Sequence, residues 1–199
     1  MALSKIDLAN QVENTLGVAQ GGTGSTLGTD VLLSTTTITS AVSSISFDSS
    51  FITSDYDIYK IIYGDLQNSD GGGHQIRFSP DNGTTIRSTG YHNVRWRMYT
   101  SNAGSSFTED KNYYSTSVFY DSQASTDKAF FEHIFYNLLD SDVKSTCNTR
   151  GGFGNTAAYH TNGIHAGRYN TAEAHNYIEI SGATGNITSG KISLIGVIQ

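Results

Sequence analysis

The chain contains one cysteine, Cys147, and one proline, Pro80, among its 199 residues. A single cysteine excludes the intrachain disulfides on which small extracellular domains commonly depend. A chain of this length can bury a substantial core without such cross-links. The sequence therefore indicates a domain that either folds in a reducing cytoplasm or has a core large enough to need no bridges.

Charged residues are also scarce, at 15% of the chain, and the formal net charge is −6. Binding to nucleic acid depends on many Lys and Arg contacts that release counterions, so no nucleic-acid partner is predicted. No apolar run reaches the roughly 18 residues of a membrane-spanning helix, so no membrane insertion is predicted. The first residues lack the basic start and apolar core of a signal peptide, which predicts no export by the general secretory route.

Glycine and tyrosine are abundant, with 21 and 12 copies, and serine and threonine recur throughout. Tyrosine, threonine, isoleucine and valine suit the pleated, half-buried surface of a sheet. Glycine, asparagine, aspartate and serine favour the turns between strands. The composition therefore predicts an all-β fold.

From about residue 31, apolar and polar side chains alternate with the period of a half-buried strand. In one run, Val94, Trp96 and Met98 share a face, opposite to Arg95 and Arg97, and Trp96 is expected in the core. Six further runs resemble strands: Ile58 to Tyr63, Ile76 to Phe78, Tyr114 to Tyr120, Val143 to Thr149, Tyr177 to Ile180 and Lys191 to Val197.

Two segments carry more specific local signals. Residues 80–83, Pro-Asp-Asn-Gly, predict a tight turn that makes Phe78 and Ile86 the flanks of a hairpin. In residues 129–138, positions 131, 134, 135 and 138 fit a helix face, and positions 130, 132, 134, 136 and 138 fit a strand almost as well. The three phenylalanines and one tyrosine of the segment favour a buried strand. About nine short strands joined by polar loops predict an antiparallel, jelly-roll-like β-sandwich over residues 31–199.

Residues 1–30 differ from the remainder of the chain. Leu8, Val12 and Leu16 have the spacing of a short helix, and a glycine-rich run at 21–24 then interrupts regular structure. The segment has too few apolar residues for a core of its own. We therefore expect it to order only against a partner chain or against the main domain, with a disordered tail as the alternative.

The N-terminal segment from Ile6 to Gly24 resembles an attachment motif of bacteriophage tail fibres. Three positions depart from the family pattern, because Asn14, Gly17 and Gln20 stand where glycine, proline and asparagine are usual. The closing run, Ile187 to Val197, also resembles the last strand of phage virion proteins. The resemblance implies attachment to the virion and a homotrimer of β-rich units, with the attachment residues being Val12, Leu16, Val18, Gly21, Gly22, Thr23 and Gly24.

The resemblance implies a non-enzymatic structural protein of a virion, synthesised in the host cytoplasm and located on the tail or capsid surface. The leading hypothesis is a tail-fibre or receptor-binding protein whose partners are other virion proteins and a host-surface glycan or receptor. A capsid decoration protein that stabilises the head is the alternative, and a small polysaccharide hydrolase is the third. Known nucleophile-elbow, zinc-protease, P-loop and dinucleotide motifs are absent, and no cofactor is predicted.

The candidate receptor site lies within a single run of the sequence. Aromatic rings stack on the C–H groups of sugars, while neighbouring polar groups bond the hydroxyls. Packing of the same rings between strands or between subunits is the interpretation that we favour over receptor contact. The candidate residues are Tyr91, His92, Arg95, Arg97 and Tyr99.

Possible metal ligands occur in two places. His160 and His165 have a ligand-like spacing, and Asp55, Asp57 and Asp65 offer oxygen ligands for calcium. Solvated surface side chains are the simpler interpretation of both groups, as for the other histidines. No metal site is therefore predicted.

Overall fold

The structure is a computed structural model that describes residues 30–70, 73–101, 104–121, 127–154 and 160–198. The described residues form twelve β-strands in two antiparallel sheets, without a helix, which confirms the predicted β-sandwich. The strands are β1 (Asp30–Ile38), β2 (Ser44–Phe47), β3 (Ile58–Asn68), β4 (His74–Ser79), β5 (Tyr91–Ser101), β6 (Gly104–Ser115), β7 (Phe119–Asp121), β8 (Lys128–Tyr136), β9 (Thr146–Gly154), β10 (His160–Tyr169), β11 (Tyr177–Gly182) and β12 (Ile187–Val197).

The two sheets differ in width. Eight strands form the large sheet in the order β1-β12-β3-β8-β9-β10-β5-β6, and four form the small sheet in the order β2-β11-β4-β7. Ring contacts between the sheets run from Tyr63 on β3 with His74 on β4 to Phe119 on β7 with His165 on β10. The small sheet therefore covers the middle of one face of the large sheet, which we call the inner face.

Alternate residues of the strands fill the space between the sheets. On β3 and β8, Tyr59, Ile61, Phe131 and Phe135 are buried, whereas their chain neighbours point to the opposite face. Burying an isoleucine or phenylalanine of this kind contributes about 1.5–3 kcal/mol to folding. The small sheet supplies the facing layer with Phe47, Ile76, Phe78, Phe119, Ile178 and Ile180.

The ambiguous segment 129–138 forms a strand, as predicted. It makes up most of β8, which pairs with β3 on one side and with β9 on the other. Residues 129, 131, 133 and 135 are buried, so the strand period is right, but the buried face is opposite to the apolar face predicted from positions 130, 132, 134 and 136. A strand that is paired on both edges lies in the middle of the sheet, where aromatic residues are readily buried.

The turn at residues 80–83 forms, but the predicted hairpin is wrong. Asn82 and Gly83 both have positive φ, and the Asp81 carboxylate accepts the Thr85 N–H at 2.7 Å. However, Ile86 lies outside the described strands: past the end of β7, the Arg87 N–H donates to the Phe78 carbonyl at 2.9 Å, but no second strand forms there. The chain crosses to β5 of the large sheet instead.

Two predicted strand runs have different bounds in the structure. The run from 114 to 120 is interrupted by a bend at residues 116–118, which separates β6 from β7. The run from 143 to 149 becomes a strand only at Thr146, where β9 begins. Before it, the Asp140 carboxylate accepts the backbone N–H groups of Asp142 and Val143, a local turn that competes with strand pairing.

Candidate binding face on the large sheet

The candidate site is the face of the large sheet that points away from the small sheet, here called the outer face. Val94, Trp96 and Met98 share this face, so the predicted grouping is right. However, Trp96 is 42% exposed, and its predicted place in the core is wrong. At β5 the apolar side of the strand therefore faces outward.

The reversal at β5 has a physical cause on the inner face. The Asn93 side chain donates to the Ser117 carbonyl at 3.3 Å, and Arg95 Nη1 donates to the Tyr120 carbonyl at 3.4 Å. These carbonyls belong to the bend before β7 and to β7 itself, where the small sheet ends. Because the sandwich edge offers backbone acceptors there, polar side chains fit the inner face of β5 and apolar ones are left outside.

Six exposed apolar side chains gather on the outer face. Phe107 on β6 lies opposite Met98 on β5, and Trp96, two residues along β5, lies opposite Ile164 on β10. Each of the six side chains is between 41% and 63% exposed. We call this group the apolar patch, and its members are Ile62, Trp96, Met98, Phe107, Phe130 and Ile164.

The charges inside the apolar patch are paired within the chain. Glu132 on β8 lies opposite Arg150 on β9, and the Arg150 Nε–H donates to the Glu132 carboxylate. In the next row of the sheet, Phe130 stacks against His160 with ring centroids 6.0 Å apart and an interplanar angle of 18°. The middle of the patch is therefore close to electrically neutral.

A groove of about 530 Å³ adjoins the apolar patch on β5, β9 and β10. Val94 and Ala166 lie opposite each other and give it a low apolar floor, because neither side chain is long. Four polar side chains of the outer face line it, namely His92, Thr146, Asn148 and Arg168. An imidazole, a hydroxyl, an amide and a guanidinium around a small floor provide hydrogen bonds for a ligand rich in hydroxyl groups.

Two carboxyl groups of the described outer face, those of Glu132 and Glu109, are far apart. They lie in the same row of the sheet, separated by Arg150, Ile164 and Trp96. Four strand spacings of about 4.8 Å place their backbones about 19 Å apart. Glycoside hydrolysis by paired carboxyl groups needs about 5–9.5 Å between them, so these two do not form such a pair.

The structure divides the predicted receptor residues between the two faces of the sheet. His92 lines the groove on the outer face, whereas Arg95 and Arg97 are half-buried on the inner face. Tyr91 is fully buried, which contradicts its predicted contact with a receptor, and the side chain of Tyr99 lies outside the described part. His92 has the opposite parity on the strand to Tyr91, Arg95 and Arg97, so the predicted residues could not form one surface.

Tyr91 instead supports the crossing between the two sheets. Its hydroxyl accepts the Phe78 N–H at 2.8 Å and donates to the Arg87 carbonyl at 3.2 Å. We expect Tyr91→Phe to lower the free energy of unfolding by about 1–3 kcal/mol, because the substitution leaves a buried Phe78 N–H unsatisfied. Urea unfolding measures this loss, and Tyr120→Phe, on an exposed ring, is the control. A loss below 0.3 kcal/mol, on the order of surface substitutions, would contradict the assigned role.

Four of the six histidines are buried, which corrects their expected place on the surface: His74, His133, His165 and His175. Burial lowers the pKa of His74 to about 4, and it holds that of His133 well below its usual value, helped by the nearby His165 and His74. Burial also lowers the pKa of His175 to about 4, although Glu173 opposes the shift at 3.2 Å. The side chains of His74, His133 and His175 are therefore neutral near pH 7.

The metal candidates are not brought together. His160 is exposed on the outer face, whereas His165, five residues along β10, is buried on the inner face. Asp65 pairs with Lys128 at 3.8 Å rather than with Asp55 or Asp57. Among the described ranges, no group of three His, Cys, Asp or Glu side chains is arranged to hold a metal ion.

Sequence reasoning missed most of the groove and the apolar patch.

The described residues contain no helix of the length and hydropathy that a membrane span requires. The predicted attachment residues between Val12 and Gly24 lie outside the described residues. Comparisons of the chain with protein-family models, with curated proteins and with solved structures find no match.

Proposed function

We propose that the chain is a structural protein of a phage virion, most simply a tail-fibre or receptor-binding protein that attaches the particle to the host surface. In this proposal residues 1–30 join the chain to the virion through the motif at Val12 to Gly24. The β-sandwich is the domain that meets the host. The chain is synthesised in the host cytoplasm and works on the particle as a homo-oligomer, with a homotrimer expected from the resemblance.

The observation that carries the proposal is the outer face of the large sheet. A sandwich with a closed core normally leaves mostly polar side chains outside, and an apolar patch of this size on one face marks a contact surface. The groove beside it supplies hydrogen-bonding groups around an apolar floor. Adhesion needs both properties, a surface for assembly and a site for a ligand.

A host glycan is the ligand that suits the groove. Sugars present hydroxyl groups at fixed spacings, and Thr146, Asn148 and Arg168 offer acceptors and donors along two adjacent rows of the sheet. The short side chains of Val94 and Ala166 form the apolar floor on which the C–H groups of a sugar would rest.

Adsorption to host cells tests the proposal. We expect Asn148→Ala with Arg168→Ala to reduce adsorption of phage particles at least about tenfold, since the loss of one good hydrogen bond corresponds to about that factor. Lys191→Ala, an exposed residue of the same sheet on β12, is the matched control and should leave adsorption unchanged. Normal adsorption by the double variant would contradict a receptor site in the groove.

A capsid decoration protein is the second candidate, because a flat apolar patch also fits the surface of a capsid lattice. Particles that lack the chain separate the two functions. Lost adsorption with intact heads supports the attachment protein, whereas normal adsorption with fragile, leaking heads supports the decoration protein. Particles that are normal in both respects would contradict both.

A further inference from the structure

We propose that the apolar patch is a self-association surface and that a second copy of this chain covers it. The inference rests on the proposed function for its biological setting, whereas the association itself is a property of the purified chain. Three observations on the outer face carry it: the exposed area, the paired charges and the shape of the surface.

The exposed area is close to what a stable interface needs. The aromatic rings of the patch, Trp96, Phe107 and Phe130, are each 42–63% exposed. With about 150–250 Å² per ring, they offer about 300 Å². Met98, Ile164 and Ile62 roughly double that area. Standard interfaces bury about 800 Å² on each partner, so the patch and its rim are large enough for one.

The charges of the apolar patch favour a second copy of this chain over a strongly basic or strongly acidic partner. The centre of the patch holds Glu132 and Arg150, and each is neutralised by the other within the same chain. Glu109 lies opposite Trp96 at the β6 edge of the patch. A basic or acidic partner would therefore find no unpaired charge of opposite sign at the centre of the patch. An identical neutral, apolar patch meets the same surface without burying an unpaired charge, which would be costly.

The shape and composition also fit a second copy. The patch lies across six adjacent strands of one sheet, from β3 to β6, and sheet faces pack on one another about 10 Å apart. Aromatic residues and methionine are enriched in interface centres, where lysine and glutamate are depleted. A rotation axis near the patch would present the same side chains from each copy. The polar groove then lies at the rim of the contact.

Two residues of the patch, Trp96 and Met98, allow this contact to be measured. Trp96 is the chain's only tryptophan and Met98 is one of only two methionines, the other being Met1. We expect the emission maximum of Trp96 to move to shorter wavelength, and acrylamide quenching to fall at least about twofold, as protein concentration rises through the association range. Oxidation of Met98 by peroxide should slow over the same range, whereas oxidation of Met1 should not.

Substitutions at the patch locate the contact. Wild-type chain should show a solution mass of at least twice 21.5 kDa by light scattering. Ile164→Glu and Met98→Glu should each weaken association at least about 30-fold, the loss typical of a central interface residue. Val143→Glu changes a residue that is 45% exposed in the loop before β9, outside the patch, and should have no effect.

Three results would overturn the proposal. A wild-type chain that remains monomeric at 100 µM, a concentration about 100 times a micromolar Kd, has no such contact. A blue-shifted Trp96 in a monomer would mean that another part of the same chain covers the patch. An oligomer that persists in both Glu variants associates elsewhere. If either variant unfolds, the concentration dependence of Trp96 emission and of Met98 oxidation in the wild type still tests whether the patch is covered. If the chain does not self-associate, the adsorption result of the groove variants is unaffected.

Discussion

Gly152→Ala is expected to prevent stable folding, with a loss of more than about 4 kcal/mol in the free energy of unfolding. A Cβ atom at position 152 would lie 1.7 Å from the backbone oxygen of Thr161 on β10. Because β9 is held between β8 and β10, neither strand can move away without breaking its own ladder. Circular dichroism and urea unfolding measure the effect.

Gly64→Ala is the matched control for this prediction. Gly64 is also a strand glycine of the large sheet, and nothing lies within 4 Å of a Cβ atom built there. We expect its stability to stay within about 0.5 kcal/mol of the wild type. Equal losses of unfolding free energy in the two variants would contradict the close approach of β9 to β10 at Gly152.

Acidification is expected to unfold the sandwich well above the pH at which its carboxylates protonate. His74 and His175 have pKa values near 4 in the folded chain, and that of His133 is lowered further, against about 6.5 when unfolded. Between pH 6.5 and 4 the unfolded chain binds more protons, so stability falls as the pH falls. Each histidine lowers the free energy of unfolding by about 1.4 kcal/mol for each pH unit of acidification in this range. The three together lower it by about 4 kcal/mol per pH unit.

The groups that face these histidines set the size of the effect. His133 Nδ1 lies 2.8 Å from the Thr149 hydroxyl, and its ring packs against Tyr63 and Phe119, with His165 and His74 nearby. Protonating it would place a charge beside other imidazoles in an apolar interior, where charge is costly.

Urea unfolding at pH 7.5, 6.0 and 5.0 measures the pH slope. His74→Gln removes one titrating group, so it should reduce the slope by about 1.4 kcal/mol per pH unit. His160→Gln, which changes an exposed histidine on the outer face, should leave the slope unchanged. A slope near zero between pH 6.5 and 5 in the wild type would contradict the buried, neutral histidines.

The period of two in the sequence was enough to predict β3, β4, β5, β8, β11 and β12, but no predicted run corresponds to β1, β2 or β10. The run at β8 and the grouping of Val94 with Trp96 and Met98 both follow from it. The period does not reveal which face is covered, since that depends on where the second sheet ends. At β5 the inner face meets the backbone carbonyls of Ser117 and Tyr120, and the sequence holds no local sign of that contact.

The buried histidines had a signal that sequence reasoning overlooked. His133 has the same parity as Phe131 and Phe135 on β8, so a strand there must place the imidazole among phenylalanines. A neutral imidazole is tolerated in a core when a neighbour satisfies its nitrogen, as Thr149 does for Nδ1. By contrast, the groove joins residues of β5, β9 and β10 that are distant along the chain, and only the strand order reveals it.

A density map of the intact phage particle tests the central claim most directly. We expect density for a two-layer sandwich of eight and four strands on the tail or the head, with the face that carries Trp96 in contact with protein. Particles that contain no such density would contradict the claim, as would copies whose Trp96 face is open to solvent throughout.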